Sequence, residues 1–297
     1  MTDKRSARQV HRHVASARKG GTSHKTVPTK SVSVDGTRFV YRELGTDTGI
    51  PVILVNHLAA NLDNWDPRVV DGIAAKHRVI TFDNRGVGAT EGKTPDSVEA
   101  MAKDAVAFIR ALGLDQVDLL GLSMGGFISQ VIAQQEPALA RKIILAGTGP
   151  AGGEGIVNVT KLTYLDTFTA LATFKDPKEL LFFTRTANGK SEAKAFVKRL
   201  KERTDDRDKA ITVRAFRTQL KAIHGWGLDQ PADLSGIQHH VLVANGDDDR
   251  MVPTSNSYDL ARRLPNATLR IYPDAGHGGI FQFHERLVRE ALEFLGL

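Results

Sequence analysis

Cysteine is absent from this chain of 297 residues. Its absence excludes disulfide bonds, zinc sites that depend on cysteine, and a thiol nucleophile. A chain without cysteine also suits a reducing compartment, and we therefore expect a cytoplasmic location.

Long apolar runs are absent as well. No stretch approaches the roughly 18–20 apolar residues that a membrane-spanning helix needs, and the N-terminus lacks the apolar segment of a secretory signal. We find neither His-Glu-x-x-His spacing nor a glycine-rich loop followed by Lys-Ser/Thr. The sequence therefore predicts no membrane insertion, no metal site and no nucleotide cofactor.

The excess of positive over negative charge lies at one end of the chain. The formal net charge of +6 arises within residues 1–30, which hold eight Lys and Arg residues against one acid, Asp3. This segment has few apolar groups, so we predict that residues 1–28 form a disordered basic tail. Aromatic residues do not alternate with its charges, and no nucleic-acid partner is expected.

Apolar runs alternate with amphipathic runs along most of the sequence, which is typical of parallel strands linked by helices. A hairpin is predicted over residues 31–43, with its turn at Asp35-Gly36. Further strands are predicted at residues 51–56, 78–82, 117–122, 142–146, 240–244 and 267–272. The pattern therefore predicts an α/β protein with an eight-stranded, mostly parallel sheet flanked by helices.

The alternation stops between Pro150 and Gln230, where residues 151–229 are helical in pattern and rich in phenylalanine. We call residues 151–229 the cap segment and interpret it as a helical insertion into the α/β core. The core domain is then predicted over residues 29–150 and 230–297.

The sequence Gly121-Leu122-Ser123-Met124-Gly125 joins the fifth predicted strand to a helix. Glycines on both sides of a serine permit a sharp turn that exposes the serine hydroxyl. A histidine and three aspartates follow in loops after later strands: Asp247, Asp248, Asp249 and His277. A nucleophile, an acid and a base in these settings indicate acyl-transfer chemistry.

From residue 30 to residue 297 the chain resembles the α/β-hydrolase fold family. The resemblance rests on the Gly-x-Ser-x-Gly turn, on the chain order Ser, Asp, His, and on the turn Asp83-Asn84-Arg85-Gly86-Val87-Gly88. It implies that the catalytic residues are Ser123, Asp249 and His277, with Asp247 as the alternative acid. Asp249 is preferred because it lies four residues before Pro253.

The resemblance also implies an oxyanion hole formed by the backbone N–H groups of Leu58 and Met124, with Ala59 as the donor in an alternative register. The family usually has His-Gly where this chain has Asn56-His57. Residues expected to contact substrate are His57, Trp65 and Trp226.

A serine nucleophile implies a cofactor-independent serine hydrolase, and we expect a carboxylesterase that acts on small to medium, fairly apolar esters. The alternatives are a lactonase, a carbon–carbon bond hydrolase and a perhydrolase of the cofactor-free haloperoxidase type. A non-catalytic ligand receptor of the same fold is a further alternative. The expected partner is a small-molecule ester, and a homodimer is possible.

Overall fold

The computed structural model describes residues 22–46 and 48–296, and within them eight strands form one sheet. The strands are β1 (Lys30–Val34), β2 (Thr37–Leu44), β3 (Val52–Val55), β4 (Val79–Phe82), β5 (Val117–Leu122), β6 (Ala140–Ala146), β7 (His240–Gly246) and β8 (Ala267–Tyr272). Their order across the sheet is β1-β2-β4-β3-β5-β6-β7-β8. The predicted eight-stranded α/β sheet is thereby confirmed.

Two antiparallel pairings lie at one edge of the sheet, where β1 pairs with β2 and β2 pairs with β4. The other neighbouring strands are parallel. Central strands such as β3, β4 and β5 are buried along their whole length, because helices cover both faces. This explains why their sequences are mostly apolar rather than alternating, with Thr81 and Asp118 as buried polar exceptions.

Six helices belong to the core domain. They are α1 (Pro67–Ala74), α2 (Val98–Ala111), α3 (Met124–Gln135), α8 (Ser255–Arg263), α9 (Gly279–Gln282) and α10 (His284–Leu295). Apolar residues of α2, α3 and α8 pack on one face of the sheet, whereas those of α1, α9 and α10 pack on the other. The side chains of Asp66 and Ser97 accept backbone N–H groups at the starts of α1 and α2.

Four further helices lie between β6 and β7, within the cap segment. They are α4 (Val159–Ala172), α5 (Pro177–Phe182), α6 (Ala187–Leu200) and α7 (Val213–Leu228), and a 3₁₀ turn at Ile156–Asn158 precedes them. The aspartate that begins α1, Asp66, is fully buried and accepts a hydrogen bond of 2.8 Å from Nε of Arg199 in α6. This contact fixes the cap segment to the core domain.

A buried ion pair makes a second link between the two layers. The guanidinium of Arg42 in β2 lies 2.7 Å from a carboxylate oxygen of Asp63, and both side chains are almost completely buried. The other oxygen of Asp63 accepts the backbone N–H of Asp208 at 2.9 Å, and Arg42 also donates to the carbonyl of Asp206. Both charges are therefore hydrogen-bonded as well as paired, as burial requires.

The predicted basic tail, residues 1–28, differs from the structure over its last seven residues. Residues 1–21 lie outside the described residues, but residues 22–28 contact the domain. The hydroxyl of Ser23 and the N–H of His24 both donate to Asp71 at 2.6 Å, and Arg203 of the cap segment donates to the carbonyl of His24. Val27 is buried in the core. These contacts order a segment whose composition alone suggested disorder.

Burial shifts the pKa of His24, and the shift should appear in the pH dependence of the free energy of unfolding. Desolvation lowers its pKa to about 3, and the charges of Arg42 and Arg203 act in the same direction. The unfolded chain therefore binds a proton at His24 below about pH 6.5, whereas the folded protein stays neutral there until about pH 3. Stability should therefore fall as the pH drops through this window.

We predict that His24 contributes about 2 kcal/mol to the loss of unfolding free energy between pH 7 and pH 5. In His24→Phe this part of the loss should disappear, as measured by urea unfolding at both pH values. The exposed His240 provides the control, since His240→Gln should keep the wild-type pH dependence. An unchanged pH dependence in His24→Phe would show that His24 is not held neutral.

Candidate active site

Ser123 lies on the turn between β5 and α3, in a conformation that residues with a side chain rarely adopt. Its φ is 56° and its ψ is −118°, and its N–H donates to the carbonyl of Ala146 at 2.8 Å. Glycine is required at positions 121 and 125, because β3, β5 and α3 approach one another closely there. A Cβ on Gly125 would overlap the carbonyl of Val55, and one on Gly121 would overlap Gly125. The Gly-x-Ser-x-Gly pattern is therefore a steric requirement of this turn.

Asp249 and His277 form a buried hydrogen bond. Nδ1 of His277 donates to Oδ2 of Asp249 at 2.8 Å, and both side chains are at most 3% exposed. The second oxygen, Oδ1, accepts the backbone N–H groups of Met251 and Val252 at 2.8 and 3.0 Å. Because the carboxylate is held by three donors, it fixes the imidazole with Nδ1 protonated and Nε2 available as a base.

The carboxyl ends of parallel strands bring these residues to one edge of the sheet. Ser123 follows β5, Asp249 lies in the loop after β7, and His277 lies in the loop after β8. Ser123 and His277 both line a cavity of about 290 Å³. The structure thus brings together the serine, the aspartate and the histidine that the sequence singled out.

Asp247, the alternative acid, and Asp274, three residues before His277, have other partners. Oδ1 of Asp247 accepts the backbone N–H of Ala275 at 3.2 Å, so Asp247 supports the loop that carries His277. Asp274 accepts side-chain hydrogen bonds from Thr184, Thr186 and Asn188 of the cap segment. Of Asp247, Asp248 and Asp249, the structure pairs Asp249 with the imidazole of His277.

The loop after β3 brings two candidate N–H donors to the same edge. The N–H of Ala59 donates to Oε1 of Gln219 in α7 at 2.9 Å. Within residues 22–46 and 48–296, by contrast, no protein acceptor pairs with the N–H of Leu58. Met124 is the first residue of α3, where a backbone N–H has no partner inside the helix. The contact with Gln219 thus disfavours the alternative register through Ala59.

Asn56 and Trp65 form a structural pair beneath this loop. The amide nitrogen of Asn56 donates to the carbonyl of Phe82 at 2.8 Å, and its oxygen accepts the indole N–H of Trp65 at 2.6 Å. Trp65 is only 1% exposed and packs on Phe281. Asn56, which replaces the family's usual histidine, therefore has a packing role here.

Trp65 and Trp226, which were expected to contact substrate, do not line the cavity that holds Ser123 and His277. The cavity is lined by His57, Leu58, Ala59, Ser123, Val159, Thr163, Thr167, Pro177, Lys178, Leu181, Phe182, Ile211, Phe216, Met251 and His277. Trp65 is withdrawn beneath the loop by its bond to Asn56, and Trp226 stacks on Phe127 with a ring-centroid distance of 5.3 Å. Both tryptophans are core residues.

His57, the third residue expected to contact substrate, does line the cavity. Its Nδ1 lies 2.8 Å from the carbonyl oxygen of Leu58. Burial lowers its pKa to about 3, so the ring is neutral at physiological pH. The ring also contacts Phe182 in a T-shaped arrangement, with a centroid distance of 5.0 Å.

Sequence reasoning missed the hydrogen bonds that the cap segment makes to the loops after β3 and β8. Gln219 lies in α7 and holds Ala59, and the carbonyl of Phe182 in α5 accepts the N–H of Gly278, next to His277. The phenylalanine content of the cap segment signalled an apolar wall. No sequence pattern signalled Gln219, because its role depends on a contact between residues 160 positions apart.

Two structural features bear on the expected partners. Among the described residues, no group of three or more His, Cys, Asp or Glu side chains could hold a metal ion. In the same part of the chain, no helix is long and apolar enough to cross a membrane. The cytoplasmic location and the homodimer stay predictions.

The strain at Ser123 leads to a stability prediction. Glycine adopts a φ near +56° without a Cβ penalty, whereas alanine keeps the penalty that serine carries. We expect Ser123→Gly to unfold with a free energy about 1 kcal/mol higher than that of Ser123→Ala, after the larger entropy loss of glycine is included. Urea unfolding of the two variants measures the difference. A less stable glycine variant would show that the turn is unstrained.

The family model described as alpha/beta hydrolase fold matches residues 50–283 of this chain. The match spans well over half of the sequence and agrees with the sheet order and the serine turn described above. The chain belongs to the α/β-hydrolase fold family.

Relatives in this family differ in the reactions that their names state. A solved alpha/beta hydrolase fold protein from Chitinophaga pinensis is 42% identical, with a TM-score of 0.87, over 92% of this chain and 99% of that one. A protein of Caulobacter sp. (strain K31) named as a carbamate hydrolase is 29% identical over 82% of this chain and 90% of its own length. A Mycobacterium tuberculosis protein named as a non-heme bromoperoxidase is 27% identical over 83% of this chain and 94% of its own. Together they support a hydrolase.

Proposed function

We propose that this protein is a serine hydrolase that cleaves carboxylic esters through an acyl-enzyme. The observation that carries the proposal is the shared cavity of Ser123 and His277, together with the buried bond from His277 to Asp249. A strained serine beside an oriented imidazole is the arrangement that activates a hydroxyl as a nucleophile.

The proposed reaction has two halves. Nε2 of His277 takes the proton of Ser123 as the hydroxyl oxygen attacks the ester carbonyl, and then gives it to the departing alcohol. A water molecule, deprotonated by the same nitrogen, hydrolyses the acyl-enzyme and releases the acid. Asp249 stays ionised, holds the tautomer of His277 and stabilises the imidazolium.

The N–H groups of Leu58 and Met124 are proposed to bind the developing oxyanion. They follow β3 and β5, which are adjacent in the sheet, so both can face the same carbonyl oxygen. Each such donor contributes about 3 kcal/mol to transition-state stabilisation in comparable enzymes. The N–H of Ala59 is directed to Gln219 instead.

Cavity size and lining support small to medium esters with apolar acyl groups. The volume of about 290 Å³ is at the lower end for ligand pockets. Its walls include Val159, Leu181, Phe182, Ile211 and Phe216, all of which come from the cap segment. The proposed reaction draws only on the side chains of Ser123, Asp249 and His277, on backbone N–H groups and on water.

Lactone opening, carbon–carbon bond hydrolysis and perhydrolysis would use the same nucleophile. The name of the bromoperoxidase relative supports perhydrolysis as an alternative, and the name of the carbamate hydrolase relative supports hydrolysis of a different acyl bond. Product analysis separates them, because an ester yields an acid and an alcohol, whereas a perhydrolase yields a peracid when peroxide is supplied.

We predict that the wild type hydrolyses p-nitrophenyl esters, with kcat/KM highest for short acyl chains of about two to six carbons, because the cavity is small. Ser123→Ala should lose at least about 1,000-fold in kcat. Turnover is followed by release of p-nitrophenolate. Binding of such esters with no serine-dependent turnover would instead favour a non-catalytic receptor.

The acid assignment has a matched pair of variants. Asp249→Asn should lower kcat by roughly 10³- to 10⁴-fold, because an amide no longer holds the imidazole in the required tautomer. Asp247→Asn preserves the size of a neighbouring acid that contacts Ala275 rather than His277. We expect its kcat to fall by less than about 10-fold. Steady-state kinetics on p-nitrophenyl butyrate compare the two. A larger loss in Asp247→Asn would reverse the assignment.

A further inference from the structure

His57 lines the cavity that holds Ser123 and His277, and one of its ring nitrogens is buried without a hydrogen-bond partner among the described residues. The carbonyl of Leu58 can only accept, so the proton of the imidazole must lie on Nδ1. Nε2 then carries a lone pair. Within the described residues, this buried nitrogen has no donor.

A buried acceptor without a donor is uncommon in proteins, because it has lost its hydrogen bonds to water and has gained none in return. His57 stands where a relative of this fold usually has glycine, so the turn itself does not need an imidazole. Its ring is 4% exposed and lines the cavity next to Leu58, the proposed oxyanion donor. The missing donor is therefore expected to come from a molecule that occupies the cavity.

We propose that Nε2 of His57 accepts a hydrogen bond from a hydroxyl group on the acyl chain of the substrate, so that the site prefers esters of hydroxy acids. The inference rests on the proposed esterase function and specifies its substrate class.

The position of His57 limits where the hydroxyl can lie. Leu58, whose N–H is proposed to bind the carbonyl oxygen, directly follows His57 in the chain, so the proposal places the hydroxyl within a few bonds of the scissile carbonyl, on carbon 2 or carbon 3. The leaving alcohol must face His277, which protonates it, and the acyl chain is then the part that reaches His57. Phe182, which contacts both imidazoles, forms an apolar wall beside them.

The acceptor would discriminate against plain acyl chains. A site that hydrogen-bonds a substrate hydroxyl disfavours the analogue that lacks it, since the buried acceptor is then left unpaired. Lysine, threonine and serine side chains at the cavity can all donate, whereas His57 needs a donor. The hydroxyl is therefore recognised through its hydrogen atom.

The test compares kcat/KM for ethyl butyrate, ethyl 2-hydroxybutyrate and ethyl 3-hydroxybutyrate in each enzyme preparation. The ratio between two esters does not depend on the fraction of folded protein, so a partly unfolded variant remains informative. We expect the wild type to prefer at least one hydroxy ester by about 10-fold or more. His57→Phe, which keeps a ring but has no acceptor, should reduce that ratio to about one.

Two more variants separate the acceptor from its surroundings. His57→Gln restores a side-chain oxygen that can accept, and it should regain part of the preference. Thr163→Val removes another cavity hydroxyl and should leave the preference above about 5-fold. Loss of the preference in Thr163→Val but not in His57→Phe would assign the recognition to Thr163 and overturn the proposal.

Failure of this inference is distinct from failure of the esterase function. A wild-type ratio near one with all three esters hydrolysed, as expected if an ordered water satisfies Nε2, overturns the role of His57 alone. A fourth ester, 2-hydroxyethyl butyrate, carries its hydroxyl on the alcohol instead. A His57-dependent gain in kcat/KM found only with this ester overturns the placement of the hydroxyl on the acyl chain. Absence of Ser123-dependent hydrolysis of every ester overturns the proposed function and this inference together.

Discussion

The active-site edge of this molecule depends on one steric constraint, the close approach of α3 to β3 and β5 at the centre of the sheet. That approach allows no side chain at Gly121 or Gly125, and it holds Ser123 at a positive φ. The same turn leaves the N–H of Met124 at the start of α3, next to the loop that follows β3. The proposed nucleophile and the proposed site for negative charge thus arise from a single piece of backbone geometry.

The cap segment completes the site through polar contacts as well as apolar ones. Asp63, Asp66 and Asp274 of the core domain each bind groups of the cap segment, and Gln219 returns a contact to Ala59. Buried acids held in this way need their partners, since a lone buried charge is costly. The cavity walls that the cap segment supplies are consequently fixed relative to Ser123.

The resemblance to the α/β-hydrolase family supplied the proposed set of Ser123, Asp249 and His277, whereas local sequence patterns were sufficient for the sheet, because periodicity and glycine spacing are properties of short segments. They were insufficient for Trp65 and Trp226, whose hydrogen bonds to Asn56 and Gly149 draw them into the core. The same holds for residues 22–28, whose order arises from contacts with Asp71 and Arg203 far along the chain. Contacts of this kind depend on how distant segments are placed, which no local pattern encodes.

In the proposed mechanism, Ser123 is the residue that becomes acylated during turnover. Intact-mass measurement after treatment with a fluorophosphonate, followed by peptide mapping, tests it most directly. We expect one adduct per chain on Ser123, and no adduct when Asp249→Asn or His277→Ala is treated for the same short time, since the unassisted hydroxyl reacts slowly. An adduct on another residue, or none in the folded wild type, would contradict the assignment of Ser123 as nucleophile.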